Sequence, residues 1–279
     1  MSDRTATQNA ELALLLEVAG TPKPGNVDRR RDFDDLRFEH FMAGAVGARP
    51  GLALAADGEP VGRAFERAVA GMADQSAGNT QFGALLMLSP LVAAASDGDL
   101  TPSGADTVVR DTTVADAADF YRAFEYVDVA VDDPPDGMEP LDVRRGSEAV
   151  PTLEERGLTL FDVMTRSADV DGVAAEWVGE FGRVFDAAEW ILADDGPVTD
   201  SASRAFVRLL AEEVDTFVVT RNGSDAAAEV QRRARAVLDG DEDAAALADE
   251  LVERDINPGT TADLVAGALF VALERGLVV

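Results

Sequence analysis

Apolar side chains recur every third or fourth residue along almost the whole chain, and this spacing constrains the fold more than any other feature. A helix face repeats about every 3.6 residues and a half-buried strand every two, so the pattern calls for amphipathic helices. It predicts helices over residues 11–19, 36–48, 60–74, 113–130, 170–193, 201–215, 225–238 and 244–254. Thr199, Ser224 and Asp241 are the expected N-caps of the last three. Segments 82–95 and 264–273 are different, because they are apolar nearly all round. Such helices belong in the middle of a bundle. The best strand candidate, 216–220, suits a helix end or extended loop better. Residues 21–35, 97–111 and 132–153 are expected to be irregular, and the last, rich in Pro, Gly and Asp, suits a short hairpin or a lid. With no internal repeat or boundary in view, the expectation is one all-α domain over 1–279. It is a helical bundle with two buried central helices, and residues 1–9 are disordered.

Ala, Val and Leu dominate the apolar set, with only two Trp and two Tyr, which favours helices over aromatic strands. Acidic residues number 53 against 24 basic ones, for a net charge of −29, and they are scattered rather than gathered in a tail. Self-repulsion of that size opposes a compact state at low salt. At molar salt the screening length falls to roughly 3 Å and the repulsion fades. The balance therefore points to a salt-rich, halophilic cytoplasm. Melting temperature is expected to rise from low to molar KCl, with NaCl as a control against specific ion binding; a melting temperature indifferent to salt would refute the adaptation. The chain has no Cys, so disulfides and thiolate metal sites are excluded. No basic stripe invites nucleic acid. The polar start argues against a signal peptide, and the longest apolar run, 84–95, is too short for a bilayer and contains Pro90. No membrane partner is expected.

Three turns carry candidate chemistry. Thr21-Pro22-Lys23-Pro24-Gly25-Asn26-Val27-Asp28 holds the only Lys of the chain, between two prolines. Proline fixes its own φ and extends the residue before it, while Gly25 permits a sharp turn. The segment is either a stiff presenter of one positive charge to an anion or an interhelix turn with a solvated Lys. Gly78-Asn79-Thr80-Gln81-Phe82-Gly83 opens the first central helix. Asn79 or Thr80 can cap it, and the same open N–H groups can bind phosphate. Asn257-Pro258-Gly259-Thr260-Thr261-Ala262-Asp263 opens the second. Thr260 and Asp263 have capping-box spacing; alternatively Asp263 holds Mg²⁺, which takes one or two carboxylates plus substrate phosphates. The two turns form one pocket only if the helix starts are adjacent. Asp171 opens the 170–193 helix, and Arg221 is a second candidate phosphate ligand or a surface charge. The lone His40 is expected at a core edge, and it lacks the context of a Ser-His-Asp set.

Glu11-Leu12-Ala13-Leu14-Leu15-Leu16-Glu17-Val18 followed by Thr21–Asp28, then Gly78-Asn79-Thr80 with Gly83, Asp215-Thr216 with Arg221 and Gly223, and Asn257–Leu264, resemble the triphosphoribosyl-dephospho-coenzyme A synthase family in order. The likeness runs from about residue 10 to the C-terminus. Where many bacterial citrate-lyase members have His-Lys after Gly-Asn-Thr, this chain has Gln81-Phe82, and Asn222 stands where Lys is frequent, so it looks closer to archaeal relatives. The resemblance implies a helical transferase that moves the 5-triphosphoribosyl group of ATP to the 2′-hydroxyl of 3′-dephospho-CoA, releasing adenine. It implies ATP and dephospho-CoA as substrates and Mg²⁺ as companion, and it allows a homo-oligomer. Asp28, Asp171 and Asp263 are the expected catalytic carboxylates, with Asp28 and Asp263 on the metal. Lys23, Gly25, Asn26, Gly78, Asn79, Thr80, Gly83, Arg221, Asn257, Gly259, Thr260 and Thr261 are the expected phosphate and nucleotide contacts. A transferase with another acceptor in an archaeal cofactor pathway, or a silent nucleotide-binding regulator, stays open beside it.

Overall fold

The computed structural model describes residues 4–134 and 138–279. Among them are fifteen α-helices and no named strand. In chain order they are α1 (Ala6–Ala19), α2 (Phe38–Ala56), α3 (Val61–Met72), α4 (Phe82–Ser96), α5 (Pro102–Arg110), α6 (Val114–Ala123), α7 (Val150–Arg156), α8 (Leu160–Ser167), α9 (Gly172–Val178), α10 (Gly182–Leu192), α11 (Val198–Glu212), α12 (Thr216–Asn222), α13 (Ser224–Asp239), α14 (Ala244–Glu253) and α15 (Gly259–Glu274). None is long and apolar enough to cross a membrane.

The two helices that are apolar all round lie at the centre, packed on each other, with α1, α2, α3, α9, α10 and α11 around them. Gly267 of α15 permits the close approach, because a Cβ there would stand 3.0 Å from Met87 of α4. Pro90 sits inside α4 and cannot donate to the carbonyl of Leu86. The Trp177 indole donates to that carbonyl instead, at 3.2 Å, so a side chain from α9 repairs the helix. The α2–α3 contact is tighter still: a Cβ on Gly47 would meet the Gly71 carbonyl at 2.1 Å, and one on Gly51 the Ala68 nitrogen at 2.2 Å.

Several elements differ from the sequence expectation. Helix α1 starts at Ala6, inside the stretch expected to be disordered, because Thr5 and Gln8 form a capping box and buried Asn9 donates to Glu274 at 2.7 Å; residues 1–3 lie outside the described residues. Within 97–111, α5 forms behind an N-cap at Thr101 with Pro102 in the first turn. That Thr-Pro pair is a helix-start signal. The predicted helix over 170–193 is two helices. Glu180 and Phe181 have φ of 57° between them, and the Glu176 carboxylate accepts from Val184 N–H at 3.2 Å and pairs with Arg183, supplying the second helix with a start. Segment 216–220 is helical in α12. Helices α11 and α13 follow Pro197 and Gly223 rather than Thr199 and Ser224, and α14 is capped by Asp243, not Asp241. Between 132 and 153 the described residues form short 3₁₀ turns leading into α7. His40 accepts from the Arg37 N–H at 3.1 Å, at the start of α2.

Candidate active site

Each of the three turns exists because another turn supports it. Gly25 has φ of +73°, and a Cβ there would collide with the Ile256 carbonyl at 2.2 Å. A glycine thus lets the Pro-Lys-Pro-Gly turn lie on the start of α15. Asn26 then donates to Asn257 Oδ1 at 2.8 Å. Across the centre, Gly83 of α4 faces Asp263 of α15, and a Cβ on Gly83 would sit 2.0 Å from its Oδ2. The starts of α4 and α15 are therefore adjacent, the one condition the sequence could not supply.

They open onto a cavity of about 560 Å³. Of the expected site residues, Asn26, Asn79, Thr80, Gly83, Asp171, Asn257, Gly259, Thr260 and Asp263 line it. One end is polar. The rest is walled by Phe41, Phe82, Phe120, Phe124 and neighbouring aliphatics, with the 129–134 and 138–143 segments at the rim. Tyr121 fastens the rim, donating to the Leu141 carbonyl at 2.7 Å; burial pushes its hydroxyl up to about 12.

Six expected residues stand elsewhere. Lys23 is fully buried behind the wall, with its ammonium bonded to the Glu17 carboxylate and to Asn26 Oδ1 at 2.9 Å. It is neither a presented charge nor a solvated turn residue. Asp28 is equally buried and committed: it accepts from Thr21 Oγ1 at 2.7 Å, Arg30 N–H at 2.8 Å, Arg31 at 3.1 Å and Lys23 N–H at 3.2 Å. A carboxylate so occupied holds the turn together and has no room for a metal. Gly25 and Gly78 shape backbone, both at φ of +73°. Thr261 is spent on buried Asp215, which accepts its N–H and hydroxyl at 2.7 Å each. Arg221 is exposed at the end of α12, beside Asp255 at 3.9 Å.

The open helix ends expected to cradle phosphate are also in use. Asn79 Oδ1 accepts from Phe82 N–H at 3.1 Å, and the Ala84 N–H of α4 points at Asp263. Protein carboxylates thus occupy the positive ends: Asp263 on α4, Asp215 on α15.

The structure adds residues the turns did not reveal. Glu17 lines the cavity, with Lys23 at its back. Its place in the apolar run of α1 was the available signal, since a buried carboxylate needs a partner. Gln81 lines the polar end. Arg166, on the last turn of α8, is the only Lys or Arg among the described lining residues, and among the described residues it has no ion-pair or hydrogen-bond partner. Nothing in the sequence separates it from 22 other arginines.

Among the described residues six carboxylates line the cavity, Glu17, Asp132, Asp133, Asp142, Asp171 and Asp263, of which Glu17 pairs with Lys23 and Asp133 and Asp142 with Arg144. Burial holds the Asp263 carboxyl well above the usual range, and the charges of Glu17, Asp215 and Asp171 add to it; the Ala84 N–H opposes. Burial also raises Glu17 against the pull of Lys23, and raises Asp171 against the N–H groups of Ala174 and Val173. No cluster of three or more His, Cys, Asp or Glu suited to a metal ion occurs among the described residues. A pocket of this sign can take a polyanion only together with cations, and it can keep a carboxylic acid protonated near neutrality.

Comparisons with known proteins agree with one another. A family model for ATP:dephospho-CoA triphosphoribosyl transferase matches residues 3–278. A Pectobacterium carotovorum subsp. carotovorum (strain PC1) protein, named as a probable 2-(5''-triphosphoribosyl)-3'-dephosphocoenzyme-A synthase, is 29% identical over 289 residues, spanning 93% of this chain and 85% of its own. A solved structure from Archaeoglobus fulgidus, provisionally named triphosphoribosyl-dephospho-CoA synthase, shares the fold with a TM-score of 0.69 at 24% identity, covering 84% of this chain and 99% of that one.

Proposed function

The chain belongs to the ATP:dephospho-CoA triphosphoribosyl transferase family, and we propose from that premise that it transfers the 5-triphosphoribosyl group of ATP to the 2′-hydroxyl of 3′-dephospho-CoA in this cavity. The observation that carries the reading is the meeting of Glu17, Asp171 and Asp263 where the starts of α4 and α15 converge. No observation favours another acceptor or a silent regulator.

The acceptor oxygen bonds to C1′ of the ribose as the C1′–N9 bond breaks. Adenine leaves with the bonding pair and takes up a proton, while the attacking hydroxyl gives one up. Positive charge develops on the sugar between these events. The chain must hold the triphosphate, aim the hydroxyl and manage two protons. Asp263 is suited to proton transfer, since its raised affinity brings it toward working pH. The carboxylates of Glu17 and Asp171, which line the same cavity, would stabilise the cationic sugar. Arg166 takes the cationic role first sought in Lys23 and Arg221, and the amides of Asn26, Asn79 and Asn257 supply neutral bonding groups. Mg²⁺ fits the donor set, because an acidic cavity with one arginine cannot neutralise a triphosphate alone; Asp171 would hold it together with the phosphates, leaving Asp263 for the proton. When bound, it supplies charge neutralisation. The setting we infer is a salt-rich cytoplasm, on the strength of the −29 charge.

Chromatography of reaction products tests the assignment. Adenine should appear from ATP only when dephospho-CoA and Mg²⁺ are both present at molar salt. Intact ATP under every condition would sink it. Gly83→Ala should lower turnover about a hundredfold, because its Cβ displaces the Asp263 carboxylate it would otherwise meet at 2.0 Å. Stability should fall by only about 1–3 kcal/mol. A Gly83→Ala enzyme with wild-type turnover would remove Asp263 from the reaction.

A further inference from the structure

Resting on the transferase reading, one corner of the cavity says how the chain picks out its nucleotide. Gln81 is only 4% exposed and lines the cavity, yet among the described residues neither Nε2 nor Oε1 has a hydrogen-bond partner. The hydroxyl of the adjoining Thr80 is likewise without a partner among the described residues. The backbone here is held, with the Gln81 N–H donating to the Met72 sulfur at 3.2 Å. Helix α2 passes over the corner at Gly44, where a Cβ would stand 2.6 Å from Thr80 Oγ1 and 3.2 Å from Gln81 Oε1. A glycine keeps that space for the two polar side chains.

A buried amide with neither bond made weakens the fold, and an apolar residue of the same length would be the more stable choice. The surroundings indicate what it is kept for. Phe82, Phe120 and Phe124 line the same cavity and pack edge-on, with centroids 4.8 Å apart for Phe82–Phe124 and 5.2 Å for Phe120–Phe124. An aromatic wall beside a donor–acceptor pair complements a purine: the ring packs on aromatic carbon and its amino edge meets the amide. We propose that Gln81, assisted by Thr80, is the specificity-determining residue for the amino edge of an adenine ring. Oε1 accepts from the 6-amino group and Nε2 donates to the neighbouring ring nitrogen, after rotation of the side chain toward the cavity it already lines. ATP and dephospho-CoA both carry adenine, so the recognised chemistry is common to both.

Gln81→Met keeps length and removes both polar atoms. Titration calorimetry at molar KCl compares ATP, purine riboside 5′-triphosphate (which lacks the 6-amino group) and dephospho-CoA on wild type and variant. Wild type should prefer ATP to the deaminated analogue by about tenfold or more. In Gln81→Met that ratio should fall to about one, because ATP loses both bonds and the analogue only the one to its ring nitrogen, and the melting temperature should hold or rise. A loss confined to dephospho-CoA assigns the corner to the acceptor's adenine instead of the donor's. An undiminished ATP preference together with unchanged dephospho-CoA affinity overturns the inference while leaving the transferase reading in place. So does a variant that cannot fold, since an unpartnered amide cannot be what holds the fold. Wild type that binds neither ligand defeats the transferase reading, and the inference with it.

Discussion

Lys23→Met is expected to destabilise the protein by about 3–5 kcal/mol, a large share of the stability of any domain. The ammonium is fully buried, bonded to Glu17 and Asn26, and lies 5.9 Å from the Phe206 ring centroid. Removing it leaves the Glu17 carboxylate buried without its counter-charge and Asn26 without one of its bonds. The Asn26–Asn257 link between two of the turns is then loosened as well. Urea unfolding at fixed molar KCl measures the loss as a fall in midpoint at unchanged slope. Adding Glu17→Leu to Lys23→Met should recover most of it, because replacing both partners of a buried pair by apolar groups is far less costly than removing one. A lysine that served only as a phosphate ligand predicts wild-type stability for the single variant and no rescue by the double. An unchanged urea midpoint would therefore reject the buried-pair account. Nucleotide affinity of Lys23→Met is interpretable only alongside this measurement, because the same substitution disturbs Glu17, which does line the cavity.

Asp263→Asn is expected to lower turnover by about 10²–10⁴-fold while making the protein more stable at neutral pH. The two effects share a cause. Burial and the charges of Glu17, Asp215 and Asp171 raise the Asp263 carboxyl well above its ordinary value, so the folded protein binds this proton more tightly than the unfolded chain does. Through the window from the unfolded value up to the raised folded one, the unfolded state carries fewer protons. The slope of stability with pH is therefore negative there: Asp263 costs stability as pH rises. An asparagine cannot ionise, so Asp263→Asn should remove that loss, and stability against pH should be flatter above pH 4 than in wild type. Adenine release assayed across pH on both proteins gives the companion result: wild type should show a titrating limb that the variant lacks. A variant with wild-type turnover, or one less stable at pH 7, would contradict the role and the electrostatics respectively. Asp28→Asn makes a useful contrast. Asp28 is not at the cavity, so its loss should act through the fold of the 21–31 turn, with stability falling first.

How much was legible in the chain depends on the range of the forces concerned. The central helices announced themselves because 82–95 and 264–273 are apolar on every face, and only a bundle interior accepts such a helix. The polar turns before them were equally visible, and seven of their candidate residues do line the cavity, with Asn26 and Asp171 beside them. Mistakes came where local pattern met a competing contact. A continuous apolar stripe over 170–193 hid a break made by Glu176 and Arg183. The sparse apolar content of 97–111 hid a helix that Thr101 and Pro102 begin.

The sequence by itself determined a helical protein, its strong acidity, its family likeness and the identity of the turns, because periodicity, charge and short motifs are properties of neighbours along the chain. Only the tertiary structure decided which charges face the cavity. Lys23 looked like a ligand because it is unique, yet Glu17, six residues before it, neutralises it in the interior. Asp28 looked like a metal carboxylate, and four donors within the same turn region consume it. Helix N-termini that looked open to phosphate are taken by Asp263 and Asp215, which come from other elements. Arg166, indistinguishable among 23 arginines, becomes the cavity's cation because α8 ends at its edge. A charge is worth what surrounds it, and desolvation and pairing are set by residues distant in sequence that packing brings together.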